Sequence, residues 1–300
     1  MKRVIRIIGL VLVSLLGIVL LAGVVLYLIG NARLNKVYDF PASNITLPED
    51  AASIEYGKHR VEILCQGCHG EDLGGVGNWF SAGPLGTIDA ANLTAGEGGV
   101  GKEFTTEDFV RAVRHGIGRD GKAIFMTAVP STAHLSDEDL GAIIAYLKTV
   151  PPVDRQLEGE RFTPLAKILL AAGLLDKLPV EAVSHEVNVT APEKAASAEY
   201  GEYIINTNDC RVCHGPELNG GPFPDPTITK ISPNLTPGGE LGFWSGEDFM
   251  NALRKGVTPS GHQLDPEFMP WPGYRLFHDE ELQAIWLCLQ SLPKLSQYTG

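Results

Sequence analysis

The chain has 300 residues, 44% of them apolar, with 36 acidic against 24 basic side chains and a formal net charge of −12. That length suits about two domains, each able to bury its own core. The acidic balance argues against nucleic acid as a partner, because binding a phosphate backbone needs a basic face.

The first predicted element is residues 7–30, IIGLVLVSLLGIVLLAGVVLYLIG, which contain no charged side chain. The run is long enough to cross a bilayer as a helix. Lys2, Arg3 and Arg6 precede it, so the positive-inside rule keeps the N-terminus in the cytoplasm and places everything after Asn31 on the far side. The competing reading is a cleaved signal peptide, since Gly30-Asn31-Ala32 faintly resembles a small-residue cleavage site. A signal's apolar region is about 7–15 residues, shorter than this one, which favours an uncleaved single-pass anchor over 1–30. The expected location is the bacterial inner membrane, with the remainder facing the periplasm.

Beyond the anchor the expected layout is a linker over 31–50, a domain over 51–152, a second linker over 153–190 and a second domain over 191–300. The two domains read as a duplication. Glu55-Tyr56-Gly57 matches Glu199-Tyr200-Gly201, Asn92-Leu93-Thr94 matches Asn234-Leu235-Thr236, and Glu107-Asp108-Phe109 matches Glu247-Asp248-Phe249. Asp137-Glu138-Asp139-Leu140 likewise matches Asp279-Glu280-Glu281-Leu282, and the steady offset implies repeated domains. Each repeat closes on a predicted helix. After Ser136, a good N-cap, Leu140, Ile143, Ile144 and Leu147 form one apolar face before Pro151-Pro152; Leu282, Ile285, Trp286 and Leu289 repeat it before Pro293. Cys288 falls on that last helix and reads as a small buried hydrophobe. In the 153–190 linker, the apolar run from Leu165 to Leu175 is too short to span a membrane. It is expected to dock between the two domains, or else to lie in the membrane surface.

The chemistry lies in two copies of Cys-X-X-Cys-His, Cys65-Gln66-Gly67-Cys68-His69 and Cys210-Arg211-Val212-Cys213-His214. This pattern reads as covalent attachment of two c-type haems. Two thiols one helical turn apart can each form a thioether to a haem vinyl group, while the adjacent imidazole reaches the iron. A zinc ribbon would need the two pairs to converge on one ion, but each is followed at once by His and Gly, and they lie far apart in the chain. A thioredoxin-like redox pair belongs near a βαβ pattern, which the sequence lacks.

With these motifs, the repeats and the Met-Pro segment of the second half, the chain resembles bacterial dihaem c-type cytochromes akin to the cytochrome subunits of periplasmic alcohol dehydrogenases. Those subunits generally carry three haem motifs, against two here. The resemblance implies an all-α fold, with two tandem cytochrome c domains each wrapping one covalently bound haem after the N-terminal transmembrane helix. It also implies a sixth iron ligand from a Met before the last helix of each domain. Phe268-Met269-Pro270 precedes Asp279 in the matching way, so Met269 is expected to ligate the second haem, with His214 opposite it. In the first repeat Met126 is the candidate beside His69, one residue farther from its helix and without the following Pro; His115, His134 or an open site are the alternatives.

Asn92 and Asn234 resemble the family's loop residues close to the haem edge. Arg114 and Arg254 are candidates to pair with haem propionates, since a guanidinium suits a carboxylate fork. Pro84 is a candidate to offer its carbonyl to His69. His/Met ligation would make each centre an electron-transfer site, so the expected function is a non-enzymatic dihaem carrier. It would pass single electrons between protein partners in or at the membrane, such as a dehydrogenase or an oxidase complex. The rival reading is a dihaem peroxidase-like enzyme with a displaceable ligand at the first haem.

Overall fold

The computed structural model describes residues 2–125, 127–175, 177–224 and 228–299. Helix α1 (Lys2–Leu34) is the apolar segment, and no residue of its most hydrophobic stretch is buried by the other described residues. Helix α2 (Ala51–Leu64) starts where the Asp50 carboxylate accepts from the Ser53 amide, and it runs into the short α3 (Gln66–His69) that carries the first Cys-X-X-Cys-His. Strands β1 (Val76–Ser81) and β2 (Gly86–Ala90) form an antiparallel hairpin. Helix α4 (Thr106–Val110) opens on a Thr105/Asp108 capping box and continues as a π-helical turn over Arg111–His115. The single turn α5 (Val129–Thr132) leads to α6 (Asp137–Leu147), capped by Ser136 as the sequence predicts.

The 153–190 stretch supplies β3 (Glu160–Phe162), α7 (Pro164–Ala171) and α8 (Pro179–Ala182). The second half then repeats the pattern with α9 (Ala198–Thr207), α10 (Cys210–His214), the two-residue strands β4 (Gly221–Pro222) and β5 (Ile231–Ser232), α11 (Gly246–Lys255), α12 (Trp271–Tyr274) and α13 (Asp279–Ser291).

About half of the chain is helical, so the all-α expectation needs correction. Strand β3 adds to the edge of β2, pairing Gly86 with Phe162, to make a three-stranded sheet. One carboxylate organises it. Asp89 accepts from the amides of Asn78 (2.7 Å) and Glu158 (2.9 Å) and from both terminal nitrogens of Arg161 (2.9 and 3.0 Å), which joins the hairpin to the linker. The glycines at 74, 75, 77, 83 and 86 make this stretch look like loop in the sequence.

In each half the first and last helices cross at a glycine. A Cβ on Gly57 would lie 2.0 Å from the Ala142 carbonyl oxygen, and one on Gly201 would lie 2.0 Å from that of Ala284. The Tyr-Gly landmark thus marks the closest backbone approach, which only glycine permits. Around the crossings lie two cores. One contains Val61, Leu73, Phe109, Leu140, Ile143 and Ile144; the other contains Tyr200, Ile204, Leu218, Phe249, Leu282, Ile285 and the buried Cys288.

A third, smaller core lies elsewhere, built from Tyr38, Ile117, Leu170, Leu178 and Val180. Residues 31–50 are therefore more than a linker: Tyr38 joins this core, and Ile45 and Ser43 are buried against the first half. Helix α7 also departs from expectation. It packs on the last turns of α1 rather than between the two halves.

Candidate functional site

Both His-Gly turns are built alike. The Gly75 amide donates to the His69 carbonyl and the Gly220 amide to the His214 carbonyl, each at 2.9 Å. Leu73 and Leu218, both buried, take left-handed backbone (φ 55° and 56°), and their carbonyls accept from Leu93 and Leu235 at 2.8 Å. A non-glycine residue in that region carries strain, and it is repeated at the same place in both halves.

This scaffold fixes the imidazoles. His69 Nδ1 donates to the Ala91 carbonyl at 2.7 Å, and His214 Nδ1 donates to the Pro233 carbonyl at 2.9 Å. Each carbonyl belongs to the residue just before an Asn-Leu-Thr. An imidazole that donates from Nδ1 presents a bare lone pair at Nε2, the tautomer a metal requires. Burial lowers both pKa values, which keeps the rings neutral. The Cys65 and Cys210 thiols beside them are pushed up to about 12, chiefly by burial.

The carbonyl expected from Pro84 is absent from this contact. Pro84 is exposed, and its carbonyl accepts instead from Thr163 Oγ1 at 2.8 Å. The asparagines are also otherwise engaged. Asn92 Oδ1 accepts from the amide and hydroxyl of Thr94 while Nδ2 donates to the Val153 carbonyl; Asn234 does the same with Thr236 and Leu295. Each clamps the segment that follows the last helix back onto the loop carrying the histidine's carbonyl partner. The two arginines likewise have partners within the protein. Arg114, fully buried, donates to Ser43 Oγ and the Leu135 carbonyl and pairs with Asp137 at 2.6 Å. Arg254 donates to the Arg275 carbonyl and pairs with Asp279 at 2.7 Å. In both halves the guanidinium ties the helical segment that carries it, Arg111–His115 or α11, to the start of the last helix.

Met269 is half-buried against the second core, and its carbonyl accepts from the Trp271 amide at 2.6 Å. The Trp271 ring lies over Gly256, where a Cβ would meet it at 2.4 Å, and so holds the loop. Met126 lies outside the described residues. Of its alternatives, His134 is exposed, and His115 turns into the neighbourhood of the third core, where its Nδ1 meets His185 Nδ1 at 3.1 Å.

Burial raises the thiol pKa of Cys68 in the first motif and of Cys210 and Cys213 in the second, and the Asp209 carboxylate adds to the rise in all three. Asp209 hydrogen-bonds Ser131 of the first half through both side chain and amide. The contact between halves is reciprocal: α12 touches α2, and α5 touches α9. His59, His278 and Glu281 offer ligand atoms within 4.8 Å of one another at this seam. The two imidazoles stack 3.9 Å apart and 7° from parallel, so their nitrogens point side by side rather than converging on an ion.

A fixed imidazole lone pair, two thiols one turn away and a crossing of first and last helices resemble the haem site of c-type cytochromes. Residues 52–147 match the family model described as cytochrome C oxidase, cbb3-type, subunit III. The chain is 29% identical over 235 residues to the alcohol dehydrogenase (quinone) cytochrome c subunit of Gluconobacter oxydans, a match covering 69% of this chain and 48% of that one. It is 25% identical over 299 residues to the fructose dehydrogenase cytochrome subunit of Gluconobacter japonicus, covering 88% and 56%. A diheme cytochrome c-type protein of Cereibacter sphaeroides is 29% identical over 220 residues, covering 65% and 70%. The chain spans about half the length of the two dehydrogenase subunits it matches.

Proposed function

We propose that this chain is a membrane-anchored dihaem cytochrome c that relays single electrons from a dehydrogenase to a second redox protein at the periplasmic side of the membrane. The observation that carries this reading is the matched pair of histidines, each held at Nδ1 by a backbone carbonyl, in two Cys-X-X-Cys-His turns of the same build. Haem c at each motif would supply reversible one-electron iron chemistry. The Ala91 and Pro233 carbonyls orient the imidazoles and raise their basicity, which stabilises the oxidised state. Met269 would work the other way, because a thioether ligand favours reduced iron, and it would also close the second site to oxygen and peroxide. Met126 is proposed for the same role in the first half. A dehydrogenase as donor is supported by the names of the matched relatives.

The test is an optical redox titration of the full chain in detergent, with carbon monoxide added to the reduced form. Two one-electron waves, a Met-to-iron band from both centres and no carbon monoxide uptake are expected. Uptake at one centre would overturn the pure carrier reading and favour the peroxidase-like alternative for the first half.

A further inference from the structure

Helix α7 is fastened to the end of α1 more tightly than a linker requires. A Cβ on Gly30 would lie 1.9 Å from the Lys167 carbonyl oxygen, so the two backbones touch there. Lys167 Nζ donates to Asn31 Oδ1 at 2.8 Å and lies 5.4 Å from the centre of the Tyr27 ring. Arg33 donates to the Leu170 carbonyl and pairs with Glu181, which also accepts from the Tyr38 hydroxyl at 2.8 Å. These contacts hold α7 beside residues 27–34, the level at which the uncharged run of α1 ends.

At that level the surface is apolar. Leu165 is 43% exposed, Leu174 is 71% exposed, and Pro164 and Ala172 are also open to solvent. The tip of the β1–β2 hairpin packs beside α7, with Thr163 bonded to both Pro84 and Leu85. The hairpin carries exposed Trp79 and Phe80 on β1. Aromatic side chains of this kind favour the boundary between headgroups and acyl chains, and a lysine there can keep its ammonium in the polar layer while its stem lies on apolar surface.

We propose that α7 and the β1–β2 hairpin form a face that rests in the outer headgroup layer of the lipid bilayer, beside the point where α1 emerges. This rests on the reading of α1 as an uncleaved anchor. The bilayer is the occupant because the face is continuous with the lipid-facing surface of α1. Trp79 Nε1 also donates to the Gly67 carbonyl inside the first Cys-X-X-Cys-His, at 3.3 Å. The same face would therefore set the first haem, rather than the second, close to the membrane.

The experiment is site-directed spin labelling of the full haem-loaded chain in phosphatidylcholine nanodiscs. Labels at Leu165→Cys, Leu174→Cys, Phe243→Cys and Val19→Cys are tested in turn for collision with lipid-soluble oxygen and with an aqueous nickel chelate. Phe243, 93% exposed on the second half, serves as the aqueous control. The expected result is that labels at 165 and 174 collide with the chelate at least threefold less often than the label at 243, while the label at 19 is reached by oxygen alone. If the label at 19 is lipid-buried but those at 165 and 174 match 243, the proposal is overturned and the anchor stands. If the label at 19 is missing from the mature chain by mass, the anchor reading itself fails, and the proposal with it.

Discussion

His59 Nε2 donates to Glu281 Oε2 at 2.8 Å, and at the related position of the duplicated fold the Tyr203 hydroxyl donates to Asp139 Oδ2 at 2.8 Å. His59 and Tyr203 occupy matching sites on the first helices, and Glu281 and Asp139 matching sites on the last ones. Each half thus offers one donor and one acid to the other, the pattern of a two-fold interface written into a single chain. Arg60, wholly buried, lies between the acids, with Glu281 at 3.9 Å, and donates to Thr207 Oγ1 at 3.2 Å.

Removing Glu281 should therefore damage the seam more than its own contacts suggest. Glu281→Ala leaves Arg60 short of a buried counter-charge and also removes the acceptor of the His278 amide at the start of α13. The expected loss is about 3 kcal/mol. Thermal unfolding of the holoprotein, followed by circular dichroism, checks it; His59→Ala should cost less, because no buried cation is stranded.

Gly201→Ala forces a methyl group against the Ala284 backbone and must spread α9 from α13. A cost of roughly 1–3 kcal/mol is expected. The discriminating readout is local: hydrogen exchange should quicken in α9 and α13 while α2 and α6 stay protected.

Asn234→Ala strips the acceptor from Thr236 and the donor from the Leu295 carbonyl, so the tail after α13 should loosen. About 1–3 kcal/mol should be lost, since these groups are buried. Proteolysis should then release the last residues of the chain sooner, leaving the segment with Cys210 and Cys213 in the larger fragment.

Met269→Ala should remove the Met-to-iron band of one centre, lower that centre's potential and open it to carbon monoxide. The other centre should titrate as before. Retention of both bands would show that Met269 is not a ligand.

Acid should act on the sheet through Asp89, whose carboxyl is held down to about 2, first by Arg161 and then by the Asn78 amide. Its unfolded value is about 3.9. The native state thus binds fewer protons than the unfolded one between these values. The stability Asp89 contributes is present above about pH 4 and is lost as pH falls towards 2. The melting temperatures of wild type and Asp89→Asn should differ at pH 6 and converge by pH 2.

Much of this arrangement could be read from the chain. Thioether chemistry fixes the spacing of Cys65, Cys68 and His69, so that motif survives in any sequence that uses it. The apolar face of α6 from Leu140 to Leu147 follows from helical periodicity and a serine cap. The histidine's partner was hidden because a backbone carbonyl has no side-chain signature; the only clue was that Ala91 and Pro233 both stand directly before Asn-Leu-Thr. The ion pairs of Arg114 with Asp137 and of Arg254 with Asp279 could not be told from the sequence, because a guanidinium fits a propionate and an aspartate equally well. The hairpin was missed because its glycines mask the alternation, and its third strand comes from a distant segment joined through Asp89.

The packing of the attachment thiols bears on how the molecule would be made. Cys65 packs against the first core and Cys210 against the second, so a ring joined to either thiol must lie against residues that the closed fold already brings together. A cofactor added to the finished fold would have to part those cores again, whereas one added to the open chain would give each core something to close around.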